Sequence, residues 1–178
     1  MLLLTVGCQV GLSDSLASSS AGQYSSKNWA WGLVVVCTVH LAGRISGAHC
    51  IPGITFALAV IRGFPWQVVS RYIFAQWFGS FLGAGLAYAI YYPSVDAYQG
   101  HGVRTAVGFT STGGYFVTVP ERYATPTTSF VNELAASAIL AMVVSAIGDD
   151  SNSPPGDGMN GLILGLAVAM IVSRPQRT

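Results

Sequence analysis

The sequence predicts an all-α membrane protein, a helical bundle around one re-entrant half-helix, and three features carry that prediction. Only 8% of the residues are charged against 52% hydrophobic, with a mean hydropathy of +0.54. An ordinary globular domain carries about 25% charged residues, so too few remain here to solvate a soluble surface. The apolar residues gather into runs that approach the ~20 residues a spanning helix needs. Between two such runs stands Ser46-Gly47-Ala48-His49-Cys50-Ile51-Pro52-Gly53-Ile54-Thr55, where small, permissive positions lead into a proline that opens an apolar segment too short to cross a bilayer.

The 178 residues form one domain, 1–178, with room for about five or six spans. Residues 1–12 are an apolar run read as an incomplete first helix; a basic start and a clear small-residue cleavage site, the marks of a signal peptide, are lacking. Ser13 to Lys27 is Ser-rich and polar, a loop. A second span covers 29–45, with Trp29 at its outer end, where an amphipathic ring suits the membrane–water interface. Pro52 then opens a half-helix over 52–62. Proline fits the first helical position because its missing N–H has no intrahelical partner there, and Arg62, Gly63 and Pro65 stop the segment. The carbonyls of Gly47 through Cys50 are left free. Irregular backbone at membrane depth is tolerated only when it lines a watery cavity or is buried in protein, so this loop suggests a pore.

The third span, 66–92, has aromatic residues at both ends and a Gly79/Gly83 pair that lets a neighbouring helix approach closely. Pro93 to Thr128 reads as a long loop rich in Gly, Thr and Pro, too long for a passive connector and expected to fold over a pore mouth. A fourth span covers 129–147, a loop with three Asp and Pro154-Pro155 runs from Gly148 to Asn160, and 161–172 is an incomplete fifth span cut short by Ser173-Arg174-Pro175-Gln176-Arg177-Thr178.

Several function classes are excluded. A net charge of +1, one Lys and seven scattered Arg provide no stripe for nucleic acid. Cys8, Cys37 and Cys50 are an odd set without C-x-x-C spacing, which reads as buried thiols. His49 has no second ligand at a useful spacing and reads as a pore-lining or packed histidine; His40 and His101 fail the same test, so no metal or other cofactor is expected. The common hydrolase, zinc-protease, phosphate-loop and dinucleotide motifs are absent, and Arg44 occupies the position where an intramembrane serine protease needs a small residue, two before Ser46. Arg44, Arg62 and Arg71 outweigh Lys27 and put the half-helix entrance in the cytoplasm, although the tail arginines then fall outside, against the rule.

Glu133 is the sharpest single residue, because a carboxylate inside a span costs a few kcal/mol without partners. It is either an interfacial Glu favoured by the helix dipole or a buried acceptor for the backbone N–H groups of a re-entrant loop.

Four ordered segments carry a resemblance. They are Trp31-Gly32-Leu33 followed by Ser46-Gly47-Ala48-His49; Ala75-Gln76-Trp77-Phe78-Gly79-Ser80; Phe130-Val131-Asn132-Glu133 followed by Ala138-Ile139-Leu140; and Gly148-Asp149-Asp150-Ser151-Asn152. Together they resemble the major intrinsic protein family, which includes the aquaporins, and within it the fungal-like aquaglyceroporins. The resemblance implies a right-handed bundle of six spans in two inverted repeats, each repeat contributing a half-helix whose positive end meets the other at the bilayer midplane. It implies passive conduction of glycerol and water, not enzymatic chemistry, by a homotetramer in the plasma membrane, without a cofactor. Permeant hydroxyls would bond the carbonyls of Gly47, Ala48, His49 and Cys50; Trp31, otherwise an interfacial anchor, matches the aromatic of the outer constriction; and Glu133 matches a glutamate that orients a re-entrant loop.

Departures from the pattern are equally specific. Ile51-Pro52-Gly53 stands where the family has its first Asn-Pro-Ala, and an Ile at an N-cap leaves a helix N–H unsatisfied, a loss of roughly 0.5–2 kcal/mol. Arg44 replaces a small residue. The resemblance stops near Ile171, before a second Asn-Pro-Ala, the filter arginine and the sixth helix; Arg174 has no Asn-Pro-Ala before it, and the family's first-helix glutamate would precede Met1. The expectation is a channel truncated at both ends. Its rival is a non-conducting membrane protein, either an interaction or regulatory fragment or the product of a faulty gene model; an ion-coupled carrier is disfavoured because Glu133 stands alone.

Overall fold

A computed structural model describes residues 1–16, 23–105, 111–117, 124–156 and 158–172. Among them are six α-helices, α1 Leu2–Leu16, α2 Gln23–Ser46, α3 Pro52–Ile61, α4 Trp66–Gln99, α5 Pro126–Ile147 and α6 Met159–Val172, with a 3₁₀ turn at Gly113–Tyr115. No strand occurs among the described residues. Part of the Ser-rich loop, much of the segment between α4 and α5, and the tail from Ser173 lie outside them.

Every helix but the half-helix is longer than the sequence predicts, α6 by the two residues from Met159. α1 reaches Leu16 rather than residue 12, and α2 begins at Gln23 rather than 29, because polar residues prolong a helix freely once it leaves the apolar layer. α4 runs 34 residues, through Pro93, to Gln99. At ~1.5 Å per residue the helix is about 51 Å long, well beyond a ~30 Å hydrocarbon core, so the proline falls where water can take the carbonyl bond that it forfeits. The far end is also strapped down. Arg104 donates to Asp96 at 2.6 Å and to the Tyr88 hydroxyl at 2.5 Å, with its guanidinium 4.8 Å from the Tyr92 ring centre. The expected loop from Pro93 therefore starts only at Gly100. α5 starts at Pro126, not at 129, because Thr125 caps it: its Oγ1 accepts from the Thr128 N–H at 3.1 Å and Pro126 takes the first helical position.

Two glycine contacts set the packing. α6 buries Gly161, Gly165 and Ala169, a small residue at every fourth position, against α2. α1 crosses α4 at Gly83, one of the predicted pair, whose backbone nearly touches Met1; Thr5 Oγ1 bonds the Gly83 carbonyl at 3.2 Å. Much of the rest of the exterior is apolar, with Phe74, Trp77 and Phe81 of α4 about 70% exposed. Together with three helices long and apolar enough to cross a membrane, this surface is that of an integral membrane protein.

Candidate functional site

The chain leaves α2 through two consecutive left-handed residues, Gly47 (φ +70°) and Ala48 (φ +51°). Glycine adopts this conformation freely, whereas alanine there costs roughly 1–2 kcal/mol, so surrounding contacts must hold the turn. The donors that reach it from another helix come from α4. The Tyr72 hydroxyl donates to the Ser46 carbonyl at 3.1 Å, and the Gln76 side-chain amide donates to the His49 carbonyl and, at 2.9 Å, to the Thr55 hydroxyl. Thr55 is fully buried. The His49 ring packs between Phe64 and Tyr72, with centroids 4.8 and 5.2 Å away. His49 Nδ1 and Gln76 Oε1 are buried without a hydrogen-bond partner among the described residues.

The four carbonyls expected to be free are therefore not equivalent. That of Ala48 accepts from the Cys50 thiol at 3.1 Å and that of His49 from Gln76, whereas those of Gly47 and Cys50 have no donor among the described residues. Each engaged oxygen keeps a second lone pair for another hydroxyl. Beyond the loop, Ile51 is extended (φ −133°, ψ 142°) and gives α3 no side-chain cap; only its carbonyl serves the helix, accepting from Ile54 at 3.1 Å and Thr55 at 3.2 Å. Pro52 opens α3, and a Cβ placed on Gly53 would meet nothing within 4 Å.

Loop and helices line an open cavity of about 600 Å³. Trp31, Gly47, Ala48, His49, Cys50, Ile51 and Glu133 all line it; Pro52 and Gly53 do not. Opposite the loop, Glu133, Ala136, Ser137, Leu140 and Val144 form one stripe of α5, the spacing of a single helical face. Leu164 and Val168 of α6 continue the apolar wall. The Trp31 ring lies flat against Gly7 of α1, where a Cβ would fall 2.2 Å from Trp31 Cη2. Glu133 is exposed on its helix, and the described 47–50 loop takes its side-chain support from Gln76 and Tyr72 instead. Sequence reasoning missed both of these residues. They stand four apart on one face of α4, a spacing that pairs them but does not name the loop they hold.

At the other end of α3, Arg62 Nη2 donates to the Ser145 carbonyl of α5 at 2.5 Å and lies 3.4 Å from Asp149 Oδ2. Asp149 Oδ1 accepts from the Ser151 N–H at 3.0 Å and the Ser151 hydroxyl at 2.6 Å. These bonds, and then the Arg62 charge, hold its carboxyl below the usual carboxylate range. No group of three potential metal ligands occurs among the described residues, and all three cysteines are free.

Comparison with known proteins gives a consistent result. Residues 1–175 match the family described as Major intrinsic protein. The chain is 38% identical over 173 residues to an aquaglycerol porin of Saccharomyces cerevisiae, a match covering 96% of this chain and 26% of that protein. It is 37% identical over 179 residues to aquaglyceroporin-4 of Botryotinia fuckeliana (95% and 24%) and 38% identical over 169 residues to aquaporin-6 of Laccaria bicolor (92% and 53%). The chain thus spans between a quarter and about half of the length of these relatives.

Proposed function

This chain belongs to the major intrinsic protein family, and we propose that it builds the pore wall of a passive channel for glycerol and water in the plasma membrane, within a homotetramer. One observation supports the reading: the loop residues Gly47 to Cys50, which bring backbone carbonyl acceptors, line the same cavity as apolar residues of α5 and α6. A polyol has hydroxyls along one edge and a hydrocarbon backbone along the other, so such a wall accepts its hydroxyls without stranding its carbons. In this reading Trp31 narrows the passage, Ile51-Pro52-Gly53 marks its midpoint, and Glu133 supports a second re-entrant segment. Conduction needs no cofactor and no reacting side chain.

Ile51 favours one rival. With an aliphatic group where the half-helix lacks a cap, the midpoint offers a passing hydroxyl one partner fewer, as in a non-conducting membrane protein. Stopped-flow glycerol uptake decides between them. This chain is spliced into the Saccharomyces relative in place of the matched segment, and the chimera is reconstituted beside empty liposomes. Saturable glycerol uptake above background is expected; background uptake by a well-folded chimera overturns the channel reading.

A further inference from the structure

We propose that the cavity favours short diols that end in a methyl group, with propylene glycol as the type, over the triol glycerol, and that Ile51 sets this preference. The inference rests on the channel reading and names the solute class that the same cavity fits best. The chemistry of the wall changes at one residue. Up to Cys50 the lining chain is irregular, and the carbonyls of Gly47 and Cys50 have no donor among the described residues. From Ile51 onward the chain is helical and consumes its own hydrogen bonds, beginning with the Ile51 carbonyl, which accepts from Ile54 and Thr55. Ile51, Ile54 and Leu58, three and then four positions apart on one face, all line the cavity. Ala136, Leu140 and Val144 line it from α5, which packs against α3.

Ile51 itself is 43% exposed, so its hydrocarbon meets whatever fills the cavity. Ser137 carries the only hydroxyl among the described side chains of the lining. A solute hydroxyl that reaches Ile51 therefore gives up its bonds to water and finds none in return, whereas a methyl group there loses nothing and gains apolar contact. Glycerol has a hydroxyl on every carbon and strands one whichever end leads. Propylene glycol leads with its methyl and keeps both hydroxyls toward the carbonyl edge. Ile51→Asn returns a donor and an acceptor where the wall changes, and so removes the advantage of the diol.

The test reconstitutes the chimera and times osmotic swelling with propylene glycol and with glycerol. The rate of empty liposomes is subtracted for each, because the diol has one hydroxyl fewer to desolvate and crosses lipid faster. The readout is the ratio of diol to glycerol uptake by one preparation. Folded fraction and protein density cancel in it, so a merely structural role for Ile51 leaves the ratio alone. Ile51→Asn should lower the ratio about fivefold, the least that one unpaired hydroxyl produces. Ile51→Thr and Ile51→Val, nearly equal in shape, separate polarity from width: the Thr variant should lower the ratio and the Val variant should keep the parental one. An unchanged ratio in the Asn and Thr variants, or an equal fall in the Val variant, overturns the selectivity while glycerol uptake above background leaves the channel reading standing. Uptake of neither solute by any version overturns both.

Discussion

Gly32 of α2 and Gly165 of α6 meet backbone to backbone: a Cβ on Gly32 would lie 2.7 Å from the Gly165 oxygen, and one on Gly165 would lie 2.6 Å from the Gly32 oxygen. Neither oxygen can swing away as a side chain does, so even a methyl group must part the helices. Gly165→Ala and Gly32→Ala should each cost about 1–3 kcal/mol, the usual range for overpacking. Gly85→Ala, with nothing within 4 Å of the new Cβ, should cost nothing and can gain up to about 1 kcal/mol. Thermal unfolding in detergent, followed by monodispersity, measures the difference; equal behaviour of the three variants would mean that the crossing is not this tight.

Gln76→Leu removes the donor from the His49 carbonyl and the Thr55 hydroxyl and should cost about 1–3 kcal/mol for buried groups left unpaired. Tyr72→Phe deletes the bond to Ser46 but keeps the ring against His49 and should cost about 1 kcal/mol. The two losses should not add, because both side chains hold one turn. Unfolding midpoints of the single and double variants give the coupling.

Ile51→Asn supplies the side-chain acceptor that α3 lacks. It should stabilise the protein by about 0.5–2 kcal/mol and raise glycerol uptake by the chimera. A variant that is more stable but not faster would show that the midpoint is not where permeation is limited.

The depressed Asp149 carboxyl ties stability to acidity in one direction. Its contribution is complete above the ordinary carboxylate range near pH 4 and is lost as pH falls through the lower folded-state value. Acid unfolding of the parent should therefore have a component below about pH 4 that Asp149→Asn lacks. Superimposable curves would deny Asp149 this role.

Much of the fold was legible because its punctuation is local. Pro52 fixes the start of the half-helix by its missing N–H, and the apolar runs that end at Ile147 and Val172 match the ends of α5 and α6. Pro93 misled for a physical reason: a proline breaks a helix most severely where its neighbours are buried, and this one lies past the hydrocarbon. Thr125-Pro126 is a cap legible in the sequence, although it stands outside the apolar run that marks the span. The loop's own share of the cavity lining, Gly47 to Ile51, was visible in the sequence, but the side chains that hold the loop were not. Tyr72 and Gln76 act across 26 and 27 positions, a relation that no local pattern encodes.

That distance also orders events at the ribosome. The turn at Ser46–His49 has its donors on a helix made later, so when α3 emerges the two carbonyls have nothing to bond. At bacterial to eukaryotic synthesis speeds the ~27 residues between the turn and Gln76 take roughly one to five seconds to make. The bonds from Gln76 thus close the turn only after a helix made later is in place, so a loss there should show in the yield of folded protein as well as in its stability.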